Sequence, residues 1–524
     1  MKVLVADSLS KEGVDIMKAV AEVDVKTGLK EAEIVAIIGN YEGLVVRSQT
    51  QVTAPIIEAG KKLIIIGRAG VGVDNIDLEA STRRGILVVN APTGNTISAA
   101  EHAIALMLSL ARHIPNANFA LKACKWERSK FTGTEVRGKT LGIIGLGNVG
   151  SAVARRARGL EMKLIGYDPF VSQDHARNLQ VEIVSLEKIY KEADFITLHV
   201  PLTPQSKDMI GEKELAIMKP SCRIINTARG GLINEEALAA ALKDKKITGA
   251  AIDVFPQEPC TSSLLFSLEN AIVTPHLGAS TAEAQVMAAS DVAEQIVDVF
   301  KGLPPKYAVN APFIPPEMMA VLNPFMIIAT KIGKLVSQLS EGQMNKLTIK
   351  YEGEITKYDT NALKASVLGG LLENVSEQKV NMVNANLIAS NRGLNVVEQK
   401  VAACENYGSL ITVGATTSSG TVEVSGTVLR GESHVVRINN YWIDFVPTTG
   451  PFLFVDHKDR PGLIGAVGNI TGEVDVNISA MYVSRLKARG QALMILDLDE
   501  ALPESAKNKL AAIQDVSTVK AIAF

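Results

Sequence analysis

One stretch constrains most of what this 524-residue chain can become. Residues 140–150 read TLGIIGLGNVG. Leu141 to Ile144 form a short apolar run of the buried-strand kind. Gly145-Leu146-Gly147-Asn148-Val149-Gly150 then gives G-x-G-x-x-G, and Ser151 to Leu160 opens a helix rich in Ala and Arg. Asp168 ends the next apolar run, Met162 to Tyr167. Strand, glycine turn, helix, strand and acid, in that order, is the arrangement that binds a dinucleotide. The glycines permit a tight turn and bring backbone close to a pyrophosphate, which meets the unpaired N–H groups of the helix start. Asp168 suits the adenosine ribose hydroxyls and repels a 2′-phosphate, so the pattern predicts NAD rather than NADP.

The totals leave room for more than this unit. A chain of this length is too long for one core and implies two to four domains. A formal net charge of −2 gives no global attraction to nucleic acid or an anionic membrane. Four cysteines, Cys124, Cys222, Cys260 and Cys404, have no paired spacing. They point to a reducing, cytoplasmic setting with neither a disulfide framework nor a metal site. No apolar run reaches the ~18–20 residues that span a bilayer.

Before the glycine turn, residues 1–95 alternate apolar runs with helical stretches. Val3–Ala6, Val23–Val25, Gly43–Val46, Leu63–Ile66 and Leu87–Val89 read as strands of a parallel sheet covered by helices. Arg47 and Arg68 fall just past strand ends, where ligands bind in open α/β sheets. Ser98 and Glu101 are spaced as a capping box for a nearly all-apolar connector helix, Ala99 to Leu110. Beyond Asp168, the strands Phe195–Val200, Arg223–Asn226, Gly249–Val254 and Ala271–Thr274 each end in a polar or Gly-rich loop. A helix over Ala282 to Phe300 returns the chain to the first domain. Residues 302–324 hold six prolines and read as a linker, narrowed to 306–324. Residues 325–448 mix helix and strand, and 452–524 run β-α-β-β-α-β, a small ferredoxin-like module.

The polar loops carry the chemistry. Oxidising an alcohol by hydride transfer needs a bound nicotinamide, a base for the hydroxyl proton, a partner that orients the base, and a cation beside the developing carbonyl. His276 follows a strand and a proline, and imidazole titrates near pH ~6.5, which suits a reversible proton carrier. Glu258 can hold the other ring nitrogen, and Arg229 offers a planar fork matched to a carboxylate.

The runs VVRS (45–48), RAGVGVDNID (68–77), GLGNVG with Asp168, NTARGG (226–231), DVFPQEP (253–259) and PHLGAST (275–281) resemble the D-isomer-specific 2-hydroxyacid dehydrogenase family over roughly the first 305 residues. Within it the chain is similar to the long members that oxidise 3-phosphoglycerate and carry an intervening domain and a C-terminal ACT domain. The resemblance implies a flavodoxin-like substrate domain (1–97 and 283–305), a Rossmann NAD domain (98–282), an α+β intervening domain (325–448) and an ACT domain (452–524). It makes Arg229, Glu258 and His276 the catalytic residues. It sets NAD against Gly145, Gly147, Asn148, Val149, Gly150, Asp168, Val200, Thr227, Ala228, Asp253, Gly278 and Ala279. Substrate falls to Arg47, Arg68 and Asn95, with Arg128 and Lys130 reaching across a homodimer or homotetramer. Val71 replaces a Thr or Asn of some relatives and removes a side-chain hydrogen bond there.

The C-terminal run His457-Lys458-Asp459-Arg460-Pro461-Gly462-Leu463, with Asn477 later, resembles the ACT pattern that binds an amino acid between paired domains. It implies His457, Asp459 and Asn477 as contacts for L-serine. The intervening domain's Arg430 and Arg437 are candidate anion contacts. Three functions stay open at this stage: oxidation of 3-phosphoglycerate to start serine synthesis, action on another 2-hydroxy acid or on 2-oxoglutarate, and a non-catalytic dinucleotide sensor. Metal, nucleic acid and membrane have no expected role.

Overall fold

The computed structural model describes the whole chain except Phe313, Asn374 and 377–379, and the side chain of Pro316. Its strands fall into four sheets. The first holds β1 (Lys2–Val5), β2 (Glu22–Val25), β3 (Gly43–Val46), β4 (Ile65–Arg68) and β5 (Leu87–Asn90), all parallel, in the order β2-β1-β3-β4-β5. This is the flavodoxin-like order. The second holds β6 (Thr140–Ile144), β7 (Lys163–Tyr167), β8 (Glu182–Ile183), β9 (Phe195–Leu198), β10 (Arg223–Asn226), β11 (Gly249–Ile252) and β12 (Ala271–Val273). They too are parallel, in the order β12-β11-β10-β9-β6-β7-β8. Helices cover both faces, so central strands such as β9, β10 and β11 are buried at every position.

Two helices carry the chain between these sheets. One spans Thr96–Arg112 and the other Ala282–Phe300. The first is capped at Asn95, three residues before the expected cap Ser98. Ser98 and Glu101 therefore lie inside it and do other work. The Ser98 hydroxyl bonds that of Thr281, the N-cap of the second connector, at 2.8 Å, and Glu101 pairs with Arg156.

The proline-rich segment is more ordered than a linker reading suggests. Ala308 makes an antiparallel bridge to Val89, the Asn310 side chain accepts from the N–H of Val88, and Gln295 holds both Tyr307 and Asn90. The segment thus lies along the β5 edge of the first sheet. A helix then begins at Pro316 and runs to Leu339, through Pro324. Proline costs nothing at a first helical position, and Pro324 removes one bond inside the helix. By length and composition this helix could cross a membrane, with a mean hydropathy of 1.4. Ile328, Ala329, Ile332, Leu335 and Val336 are instead fully buried, which makes it the central helix of a protein core.

That core belongs to the third sheet: β13 (Met344–Gly353), β14 (Asn395–Val401), β15 (Ser409–Thr417), β16 (Gly420–Leu429), β17 (Glu432–Ile438) and β18 (Tyr441–Phe445), ordered β14-β13-β15-β16-β17-β18. The helix crosses another, Asn361–Leu372, at Gly333 and Gly370. A Cβ on Gly333 would stand 2.1 Å from the Val367 carbonyl oxygen. The fourth sheet is antiparallel: β19 (Pro451–Lys458), β20 (Ile478–Arg485), β21 (Gln491–Leu498) and β22 (Val516–Ala523), ordered β20-β21-β19-β22. Helices Leu463–Glu473 and Glu504–Ala511 cover one face. Its other face joins the third domain's core through Phe445, Phe452, Phe454, Tyr482 and Phe524.

Candidate functional site

A parallel sheet sends every strand's C-terminal end to one edge, so the second sheet gathers residues far apart in sequence. The glycine turn follows β6. Gly145 has φ of 93°, and a Cβ there would stand 2.4 Å from the His199 carbonyl oxygen. A Cβ on Gly150 would stand 1.9 Å from the Gly145 oxygen, while one on Gly147 would meet nothing within 4 Å. The turn is closed toward the protein and open outward. Helix Asn148–Gly159 starts there with no side chain capping it, which leaves its first N–H groups available. Both Asp168 oxygens accept backbone N–H groups, Oδ2 from Leu146 and Oδ1 from Phe170, each at 2.8 Å. The acid thereby pins the end of β7 to the turn and keeps lone pairs for a diol. Val200 and Ala228 are half-buried on neighbouring loop ends. The Thr227 Oγ1 is buried with no hydrogen-bond partner. These features fit a dinucleotide.

Next along the edge come Arg229 after β10, Glu258 after β11 and His276 after β12. Their loops interlock. A Cβ on Gly230 would stand 2.0 Å from the Phe255 carbonyl carbon, so the Arg229 turn rests directly on the loop that carries Glu258. His276 Nδ1 lies 2.6 Å from Glu258 Oε2, and the other Glu258 oxygen accepts the N–H of Phe255 at 2.9 Å. Burial alone would raise the pKa of Glu258. The bonds from His276 and Phe255 outweigh it, and the pKa is lowered. His276 has φ of 54°, a left-handed conformation that costs a non-glycine residue about 1–2 kcal/mol. Its N–H bonds the Asp253 carbonyl at 2.8 Å, which helps hold it there.

Asp253 is the fastener of this loop. It is 0% exposed; Oδ1 accepts from the Thr274 hydroxyl and the Leu277 N–H and lies 3.1 Å from His102 Nε2, while Oδ2 accepts from the Gly278 N–H. Burial works to raise its pKa, and these donors lower it. Oδ2 carries the single bond and has the capacity left for a ligand. Ala279 follows on the same loop. His102, on the first connector helix, is a partner that sequence reasoning missed; its signal was a histidine one turn past Ser98 on the same helix face.

The first sheet brings Arg47 and Arg68 to its own C-terminal edge. Arg47 donates its backbone N–H to Asp7 at 2.6 Å, and Arg68 Nε is buried without a partner. Burial first, then the nearby Arg229, depress the Arg68 pKa to about 10. Arg229 Nε stands 3.3 Å from Asp74 Oδ2, so the two edges face each other across one cleft. Asn95 caps the connector helix at the cleft's side and accepts the Ala99 N–H with its carbonyl. Val71 offers the site backbone only, and its carbonyl accepts from Asn90.

Two expected groups are not gathered. Arg128 and Lys130 lie on an exposed 3₁₀ turn beside Trp126, and Lys130 pairs with Glu269 of the same chain. Neither touches the arginine cluster. The effector candidates are also dispersed. The His457 ring is 2% exposed, with Nδ1 3.1 Å from the Val455 carbonyl oxygen. Asp459 accepts from Arg485 at 2.8 Å, and Asn477 donates to Asp499 at 2.7 Å. His457 lies opposite Ala492 on β21, whereas Asn477 precedes Ile478, which lies opposite Leu498. Six residues of strand separate the two ends, about 20 Å. The three residues therefore make no single site within one chain. In the third domain Arg437 bonds Ser425 and Glu423 and stacks on Trp442, so its charge is satisfied internally.

Comparison with known proteins agrees with this architecture. A family model described as D-isomer specific 2-hydroxyacid dehydrogenase, NAD binding domain, matches residues 104–278, and one described as D-3-phosphoglycerate dehydrogenase intervening domain matches residues 321–439. The D-3-phosphoglycerate dehydrogenase of Synechocystis sp. is 49% identical over 99% of this chain and 94% of its own length. That of Methanocaldococcus jannaschii is 43% identical over 100% of this chain and 99% of its own. A D-lactate dehydrogenase structure from Aquifex aeolicus, complexed with NAD and lactic acid, is 26% identical, with a TM-score of 0.54 over 60% of this chain and 100% of that one.

Proposed function

This chain belongs to the D-3-phosphoglycerate dehydrogenase family, within the D-isomer specific 2-hydroxyacid dehydrogenases, and from that premise we propose how its residues carry the reaction. The reaction is the NAD-dependent oxidation of 3-phospho-D-glycerate to 3-phosphohydroxypyruvate, the step that opens L-serine synthesis. The observation that carries the mechanism is the His276–Glu258 pair. A carboxylate can only accept, so Nδ1 carries the hydrogen toward Glu258 and Nε2 is left as the ring's free base. His276 Nε2 takes the C2 hydroxyl proton, and Glu258 stabilises the imidazolium that forms. Arg229 holds the substrate carboxylate as a fork and polarises the growing carbonyl, with Arg68 and Arg47 supplying charge for the phosphate end. Bound NAD, held by the glycine turn, Asp168, Val200, Thr227, Ala228 and the Asp253–Ala279 loop, supplies the hydride acceptor.

The domain limits are drawn around the four sheets, with Ala308 and Asn310 added to the edge of the first and the helix from Pro316 assigned to the third. Arg128 and Lys130 are read as serving the cleft of a second copy, because their own chain leaves them outside it. L-serine as effector belongs to the same reading, in a site shared by two ACT modules. Four unpaired cysteines support a cytoplasmic setting. The test is NAD reduction with 3-phosphoglycerate, coupled to removal of phosphohydroxypyruvate. Turnover with lactate or 2-hydroxyglutarate but none with 3-phosphoglycerate overturns the substrate assignment.

A further inference from the structure

Three guanidiniums face two carboxylates in the cleft, and the carboxylates differ. Asp7 is buried. It accepts from the backbone of Arg47 and Thr50 and from the Thr50 hydroxyl at 2.6 Å, and so shapes the sheet edge. Asp74 has a side chain 79% exposed, and Arg229 is its one ion-pair partner among the described residues. The pair spans the two domains. It rests on bare backbone, since a Cβ on Gly72 would stand 2.2 Å from Arg229 Nη2 and 2.7 Å from Asp74 Oδ2. Beside it, Arg68 Nε is buried and unpartnered.

The Asp74 carboxylate therefore stands at the guanidinium to which the substrate's carboxylate is assigned. We propose that Asp74 is the counter-ion of the open cleft, holding Arg229 until the substrate's carboxylate displaces it, and so keeping small inorganic anions off the arginines. The inference rests on the reading of Arg229 as the substrate's carboxylate partner. Displacement is cheap because the departing carboxylate is already mostly hydrated, and exposed pairs of this kind are weak. An incoming carboxylate that engages the planar fork with two bonds outcompetes it, whereas an anion making one contact does not. Removing the charge should then tighten binding, the reverse of what loss of a contact residue does.

The experiment compares the full-length protein with Asp74→Asn and Asp74→Glu. Asp74→Asn is expected to lower KM for 3-phosphoglycerate about three- to fivefold with kcat changed by less than about twofold, and Asp74→Glu to keep the wild-type KM. Independently, sodium sulfate at constant ionic strength should raise the melting temperature of Asp74→Asn at about three- to fivefold lower concentration than wild type. An unchanged or higher KM, or a loss of kcat at constant KM, overturns the proposal; the latter would mean that Asp74 orients Arg229 instead. If wild type does not turn over 3-phosphoglycerate, the functional reading fails, and the sulfate titration still decides the role of Asp74. Asp74→Ser repeats the comparison with a smaller uncharged side chain should Asn disturb the loop.

Discussion

The second and fourth sheets handle scattered residues in opposite ways. In the parallel second sheet, Arg229, Glu258 and His276 follow three adjacent strands and arrive on one edge, with loops so close that Gly230 has no room for a side chain. In the antiparallel fourth sheet, His457 at the end of β19 and Asn477 just before β20 land on opposite ends, about 20 Å apart. A set of motifs matched along a chain is thus a site only when the topology returns its members to one place. The first region is a site in one chain. A ligand held by all three candidates of the second region would require a second chain.

The comparison breaks first at His276. His276→Ala should lower kcat about 10³-fold while the fluorescence of added NADH still reports dinucleotide binding, because the ring is 42% exposed and carries no core packing. Full turnover in that variant would end the proton-transfer assignment. Next, Gly230→Ala removes no functional group. It forces the Arg229 turn off the Glu258 loop, and kcat/KM is expected to fall about 100-fold; steady-state kinetics beside a melting curve separate this from simple unfolding.

Gly333→Ala tests the other half. A Cβ against the Val367 carbonyl should cost about 1–3 kcal/mol in the third and fourth domains, which share a core, and leave NAD affinity unchanged. A denaturant titration in which the NAD domain unfolds with them would show tighter coupling than the separate sheets suggest.

A mixing experiment sharpens the two-chain idea. Asp459→Ala and Asn477→Ala should each abolish the response to L-serine. Mixed equally, half the dimers are heterodimers with one intact site, and about a quarter of the sites should return. No recovery on mixing would place both residues in one chain's site.

The smallest effect concerns His199, whose burial pushes its pKa down to about 4. The unfolded ring titrates near ~6.5, so the folded protein binds fewer protons between these values. Stability is full above ~6.5 and declines as pH falls toward 4, by about 1–3 kcal/mol in total. Melting temperatures across that range should flatten in His199→Asn.

Sequence made the second sheet legible because its signals are local: Gly145 to Gly150 and Asp168 declare their own backbone needs, and apolar runs mark buried parallel strands. The roles of His102 and Asp74 were hidden, since each depends on a partner brought by the fold. Asn95 displaced the expected cap because helix starts shift by a turn without changing the apolar stripe. Pro316 and Pro324 imitated a linker because proline at a first helical position and proline in a loop look alike in sequence. The separation of Asn477 from His457 within one chain was hidden too, since motif spacing says nothing about strand direction.

The bridge from Ala308 to Val89 has a mechanical consequence. With Asn310 tied to Val88 and Ile86, and Asn381 donating to the Gly85 carbonyl at 2.7 Å, the C-terminal half is fastened to the jaw that carries Arg47 and Arg68. That jaw and the domains beyond residue 306 are thereby tied to each other. The jaw that carries Arg229 and His276 is joined to it by the helices Thr96–Arg112 and Ala282–Phe300, so any displacement of the far domains would meet the cleft first on the side of Arg47 and Arg68.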